Sequence, residues 1–326
     1  MTENNQPSDL MTCMEVLGGN NIADQALTMM GLNAWIYAKP YGGSTYGGDV
    51  YYLSSCATGR IIRLLIADIS GHGDSATKPA EKLRYLMRRY INQINQMHFV
   101  KAMNTAFSDF SSQGVFATAI AATYFAPTQT LTITNAGHPK ALHFEKSTKK
   151  WGFLMKKFTD KSTVNEQSPA NIPLGILDIS EYDTRSLRLK MGDIVLIFTD
   201  SLTESKTVDG KMLGCQGIID ILNQQVNLKV NSDEIKNIIP KLITTISSLN
   251  PDNLNDDTTV MMFSPNTLFA SKYTKPNLRE HIQLINKMMA KAFAKDQPFP
   301  WPDLHPANLG GAMFNFMNKL WGRKLK

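Results

Sequence analysis

Cysteine is scarce in this chain. Cys13, Cys56 and Cys215 are an odd number, widely spaced along 326 residues. That excludes a disulfide framework and any paired-cysteine zinc site, and it fits a reducing compartment. Long apolar runs are also missing. The longest, Val115 to Ala126, is interrupted by Thr118, Thr123 and Tyr124, and it falls well short of the ~20 residues that span a bilayer. Residues 1–9 are polar, with no basic residue ahead of an apolar run, so no secretory signal is expected and the expected location is the cytoplasm. The sequence has no GxSxG elbow, no Walker A loop and no HxxxH or HExxH pattern. The commonest serine-hydrolase, nucleotide-binding and zinc-protease readings therefore fall away.

Charge is uneven. The formal net charge is +6, which on its own would raise the question of nucleic acid. From Ser271 onward, however, there are 10 Lys/Arg against 3 Asp/Glu, and the rest of the chain has 24 against 25. The excess belongs to the tail, which carries no recognisable nucleic-acid motif, so no nucleic-acid partner is expected. A solvated, weakly ordered end is the leading expectation for this tail, ahead of contact with a membrane surface.

What is present is an ordinary globular composition, 43% hydrophobic and 19% charged, on a chain long enough for a sizeable core. Short runs rich in β-branched and aromatic residues recur from Asn33 to Phe263 (AWIYAKP, DVYYLSSC, RIIRLLIADIS, FATAIAATYFA, TLTITNAG, ALHFE, SLRLK, DIVLIFTD, TTVMMF), bounded by Gly, Pro, Asn or Asp. Helical periodicity begins near Ser75, where Leu83, Leu86, Met87 and Ile91 share one face, and returns over Phe99–Phe110, Gln216–Val226 and Ser232–Ser247, with Ser232 as an N-cap. Many strands with helices in pairs predict an α+β fold, with helices covering sheets. The expected organisation is an extension over 1–32 with one short helix around Leu10–Leu17, a main domain over 33–265, and a tail over 266–326. Within that tail a helix-like piece, Arg279 to Lys295, leads into a proline-rich connector and an aromatic, basic end.

Aspartates mark the strand ends. Asp49 follows Gly47 and Gly48 and opens a strand; Asp68 closes Leu64–Ala67; Asp200 closes Ile194–Thr199; Asp256 and Asp257 precede Thr258–Phe263. Taken singly, each is more readily read as a turn former or N-cap than as a ligand. As a set they can meet at one rim of a sheet, and oxygen-only ligands suit Mg²⁺ or Mn²⁺.

The ordered elements YGGDVYYL (46–53), ADISGHG (67–73), FATAIAATY (116–124), NAGHP (135–139), PLGIL (173–177), GDIVLIFTDSLTE (192–204) and DDTTVMMF (256–263) resemble the PPM (PP2C-like) protein phosphatases. The likeness is to the bacterial RsbU/SpoIIE-like serine phosphatases. The resemblance implies an antiparallel β-sandwich flanked by helix pairs, an α-β-β-α arrangement. It implies hydrolysis of phosphoserine or phosphothreonine through a hydroxide bridging two Mn²⁺ or Mg²⁺ ions. Carried over by motif, Asp49 and Asp68 bind or bridge the two metals, with the Ile69 carbonyl as a further ligand. Asp200 and Asp256 complete the second site, and Asp257 is supporting. His72 is a proton donor to the leaving oxygen or a brace of its loop. His138 is expected to hydrogen-bond structurally. Gly48, Gly71 and Gly73 allow backbone to approach the metals and phosphate, and serve equally as turn formers. The implied partners are a phosphoprotein substrate of the anti-anti-sigma-factor kind and an activating partner or a homodimer.

Departures from the family pattern stand out. Tyr52 occupies the place where many relatives carry a second acidic residue after GGD, and Ser201 the place of a usual glycine; a third-metal acid near FATAI is also missing, Gln113 being nearest. They motivate a second reading, a degenerate phosphatase acting as a regulated binding module, against which all four core aspartates weigh. An unrelated hydrolase using Ser70, His72 and Asp68 is disfavoured, because three such residues on one turn cannot make a nucleophile–base–orienter geometry.

Overall fold

In most strands of this chain alternate side chains face different partners, and the two faces so defined build the layers. A computed structural model describes residues 16–56, 60–71, 74–91, 93, 95–109, 114–154, 172–177, 182–225 and 235–268. The strands are β1 (Val16–Asn21), β2 (Ala23–Met29), β3 (Leu32–Lys39), β4 (Tyr46–Cys56), β5 (Ile61–Ile69) and β6 (Ala117–Phe125). They continue as β7 (Thr130–Ala136), β8 (Leu142–Glu145), β9 (Lys150–Phe153), β10 (Thr184–Arg188), β11 (Ile194–Phe198) and β12 (Thr258–Pro265). The helices are α1 (Asp74–Tyr90), α2 (Gln96–Phe107), α3 (Ser201–Glu204), α4 (Gly214–Gln225) and α5 (Ile238–Leu249).

Two six-stranded sheets result, in the orders β1-β4-β5-β6-β7-β10 and β2-β3-β12-β11-β8-β9. The ladders joining these strands are antiparallel. Between the sheets, Ile62, Leu64 and Ile66 of β5 share a core with Val195 and Ile197 of β11 and Met261 and Phe263 of β12. The alternate residues Leu65, Ala67 and Ile69 turn outward, under Leu83 and Met87 of α1 and Phe99 and Met103 of α2. On the far side, Leu196, Phe198 and Met262 are covered by Ile218 and Leu222 of α4 and Leu242 and Ile246 of α5. The fold is the expected α+β sandwich, layered α-β-β-α.

Three strands were not anticipated. β1 and β2 place residues 16–29 at the edges of the two sheets, so this stretch belongs to the sandwich and not to an extension ahead of it. Val16 and Leu17, expected in a helix, are extended. The glycines of VLGGNN hid the strand, yet they are what lets it pair. A Cβ on Gly18 would stand 2.8 Å from Tyr52 Cδ2, and one on Gly19 2.6 Å from the Tyr51 hydroxyl. The third strand, β9, is four residues long and too brief for a pattern. Cys13, the Ser232 cap and the tail elements beyond residue 268 lie outside the described residues. Among the described residues no helix is long and apolar enough to cross a membrane.

The inter-sheet core makes a direct prediction. Phe263 is fully buried there, so Phe263→Ala is expected to lower unfolding free energy by about 3–5 kcal/mol, read from urea midpoints at unchanged slope.

Candidate active site at one end of the sandwich

The same alternation that fills the core carries polar residues to its mouth. On β5 the inward series Ile62, Leu64, Ile66 continues to Asp68; on β4 the series Leu53, Tyr51 runs back to Asp49. The second sheet answers in kind. The inward residues Val195 and Ile197 lead to Thr199, and Phe263 and Met261 lead back to Thr259 and Asp257. The register Val50↔Ala67 sets Asp49 beside Asp68. Acids from both sheets therefore meet where the apolar core ends.

Two clamps hold the sheets together at this point. Thr199 Oγ1 donates to Asp49 Oδ2 at 2.8 Å and accepts from the Thr259 amide at 2.9 Å. Asp257 spends both oxygens on backbone: Oδ2 accepts from Gly48 N at 2.6 Å and Oδ1 from Tyr41 N at 2.7 Å. With its carboxylate so pinned, a Cβ on Gly47 would stand 2.5 Å from Asp257 Oδ1, and only glycine fits. Asn20 of β1 adds a third tie, donating Nδ2 to the Gly47 carbonyl at 3.0 Å. Gly48 lies over the Ile69 carbonyl, where a Cβ would come within 3.3 Å of the oxygen. The GGD turn and the end of β5 are thus in contact.

Electrostatics define the cluster. Burial, then the charges of Asp200, Asp256, Asp257 and Glu204, push the Asp68 carboxyl up to about 8. Burial first and the Asp68 charge second raise Asp49 well above the carboxylate range, against the lowering effect of the hydroxyls of Thr259 and Thr199. Asp200 is raised by burial, by Glu204 and by Asp256, while amides at the start of α3 pull the other way. Such a set of mutually repelling oxygen donors fits a hard divalent cation. Among the described residues no three His, Cys, Asp or Glu side chains are grouped tightly enough to close on one ion as they stand. The fit therefore rests on donor chemistry and on the field these acids share.

The structure brings Asp49, Asp68, the Ile69 carbonyl, Asp200, Asp256 and Asp257 to one region. Gly71 follows at φ 101°, a conformation suited to glycine; His72 and Gly73 lie outside the described residues. Ser70 is tied to β6, its amide donating to the Phe116 carbonyl and its Oγ accepting from the Phe116 amide, each at 2.9 Å, which further disfavours it as a nucleophile. Tyr52 is buried on the outer face, in the layer shared with α1. Sequence reasoning missed Glu204, although its place one helical turn after Asp200 puts both on one face of α3. It also missed Thr199 and Asn20, whose roles depend on contacts 150 and 27 residues away.

Comparison with known proteins agrees with this architecture. The family model described as Stage II sporulation protein E (SpoIIE) matches residues 58–266. Among solved structures, the RsbU and RsbW domains of Rv1364c from Mycobacterium tuberculosis superpose with a TM-score of 0.58 at 16% identity, covering 93% of this chain and 72% of that one. The PP2C phosphatase domain with a regulatory-domain fragment of SpoIIE from Bacillus subtilis gives 0.56 at 16%, covering 78% and 64% respectively. RsbX in complex with magnesium gives 0.53 at 13%, covering 75% and 100%. No curated protein sequence matches the chain. At these identities the structural likenesses establish the fold.

One buried group near the site gives a pH signature. Burial depresses the His138 imidazole to about 3, whereas in the unfolded chain it titrates near 6.5. The unfolded state binds the extra proton between those values. Stability from this residue is therefore complete above about pH 6.5 and is lost as pH falls toward 3. The stability gap between wild type and His138→Gln is expected to narrow by about 2 kcal/mol between about pH 7.5 and about pH 5, as read from denaturant midpoints of both proteins at each pH.

Proposed function

Because the chain belongs to the Stage II sporulation protein E (SpoIIE) family, with its PP2C-like phosphatase fold, we propose that it is a divalent-cation-dependent protein phosphatase acting on phosphoserine or phosphothreonine. The observation that carries this reading is the convergence of strand-end carboxylates from both sheets on one buried, mutually charged cluster. Asp49, Asp68 and the Ile69 carbonyl, with Asp200 and Asp256, would hold two Mn²⁺ or Mg²⁺ ions. Bound there, such ions supply a water acidic enough to attack at neutral pH and offset the charge of a phosphoryl group.

The chain's own residues supply position. Thr199 fixes the Oδ2 oxygen of Asp49 and so sets the orientation of that carboxylate. Asp257 fixes the Gly48 amide, so the GGD turn does not need to reorganise when substrate arrives. Phosphoryl transfer asks mainly for such positioning and charge stabilisation, and no nucleophilic Ser or Cys is required. His72 is proposed, from its place in DISGHG, as the donor of a proton to the departing seryl oxygen.

The substrate we propose is a regulatory phosphoprotein of the anti-anti-sigma-factor kind, with an activating partner or a homodimer controlling activity in the cytoplasm. The degenerate-module reading rests on Tyr52 and Ser201, and the first of these lends it little. Tyr52 faces the α1 layer, so an acid missing at that position takes no carboxylate from the inner face.

Turnover of p-nitrophenyl phosphate with Mn²⁺, Mg²⁺ or EDTA tests the reading. Metal-dependent hydrolysis is expected, falling by roughly 100-fold or more in Asp68→Asn and Asp200→Asn, beyond what outer-shell changes cost. Mn²⁺ binding without turnover on this ester or on a phosphoserine peptide would favour the binding module, and no Mn²⁺ binding would sink the site.

A further inference from the structure

His138 has no part in the chemistry above, yet it lies at the junction of the two halves of the site. It follows the turn at Gly137 (φ 72°) and is 3% exposed. Asn135 grips its main chain from both sides, accepting from the His138 amide at Oδ1 and donating Nδ2 to the His138 carbonyl, each at 2.8 Å. The ring reaches from one sheet to the other. Nδ1 is 2.8 Å from Thr118 Oγ1 on β6. The other edge, Nε2, faces the Phe198 carbonyl on β11 without a close hydrogen bond. Because a carbonyl can only accept, the tautomer with its proton on Nε2 suits this side of the ring, and Nδ1 then accepts from the Thr118 hydroxyl.

Both contacts are one step from the acids. Thr118 is the register partner of Asp68 and, in phase with Ile120 and Ala122, points to the same inner side. Phe198 immediately precedes Thr199, which holds Asp49, and then Asp200. A hydroxyl beside one acid and a carbonyl beside the other are therefore spanned by a single rigid ring.

We propose that His138 is a positioning residue for the cation site, a strut between the sheets that sets the spacing of Asp68 against Asp200. This rests on the two-ion reading of the preceding subsection. The imidazole stays neutral across physiological pH, so the strut brings no positive charge that would oppose a cation. A histidine serving the core alone would cost stability when replaced, but the folded fraction would bind cations as before. A strut acts on affinity.

Mn²⁺ affinity of the folded protein, by isothermal titration calorimetry, separates these roles. The set is wild type, Asp68→Asn, Thr118→Val, His138→Phe, His138→Asn and the Thr118→Val/His138→Phe double variant. Thr118→Val keeps the shape of its side chain and guards against loss of folding in the histidine variants. Thr118→Val and His138→Phe are each expected to weaken Mn²⁺ binding by about 10-fold, the range of outer-shell changes. The double variant is expected to be no weaker than the weaker single, because both break one connection. His138→Asn, which returns an acceptor near the position of Nδ1, should recover part of the affinity. Wild-type Mn²⁺ binding with unchanged affinity in Thr118→Val and His138→Phe overturns the strut and leaves the metal reading standing. No Mn²⁺ binding by wild type, or full binding by Asp68→Asn, overturns the metal reading and the strut with it.

Discussion

The hydrogen bond from Thr199 to Asp49, 2.8 Å long and linking residues 150 apart in sequence, joins the two sheets at the mouth of their shared core. The remainder of the site depends on that junction. Asp49 and Asp68 come from one sheet, Asp200, Asp256 and Asp257 from the end of the other. Neither group alone could form the two-ion site proposed above. Thr199 is itself fixed by the Thr259 amide and by its own amide bonding to the Thr259 carbonyl at 3.0 Å. The hydroxyl is therefore aimed by the β11–β12 ladder and not by a loop. Where a hydroxyl is held by a ladder, its orientation costs little further entropy when a ligand arrives.

Collecting like charges at buried positions works against stability, and the fold offsets this locally. Burial raises Asp49, Asp68 and Asp200, and each carries a further upward push from a neighbouring carboxylate. Hydroxyls on Asp49, amides on Asp200 and two amides on Asp257 supply the compensation. That division of labour separates the acids. Asp257 has given both its oxygens to backbone donors and serves as a brace, whereas Asp68 is left with four neighbouring charges acting on it. Under the function proposed above, Asp68 is the acid whose repulsion a bound cation would relieve most.

Much of this was legible in the sequence. Leu64 to Ala67 of β5 read as one apolar run, and the acid at its end stands out because it breaks that run. The order of the glycine- and aspartate-bearing elements carried the fold class and the acidic set. What could not be read was pairing across the sandwich. Nothing in FTDS says that its threonine reaches GGD, and nothing in VLGGNN says that its asparagine reaches the Gly47 carbonyl. The β1 strand was hidden for a related reason: its glycines are there to admit the tyrosines of β4, and the information lies in β4. Glu204 was legible by helical spacing from Asp200, had the short helix after FTD been placed first.

Alternation has a last consequence for how such a site is held. Ala67 and Ile69, the residues on either side of Asp68, pack outward beneath α1. Ala76 of that helix also lies against Gly48, where an added Cβ would meet it at 3.4 Å. The outer-face packing of α1 and the inner-face placement of Asp49 and Asp68 are therefore two sides of the same strand segments. In a close-packed interior a helix cannot move by a side-chain width without moving the strand beneath it. The position of α1 on the outer face and the placement of Asp49 and Asp68 on the inner one are thus fixed by the same strand segments, and neither face is packed independently of the other.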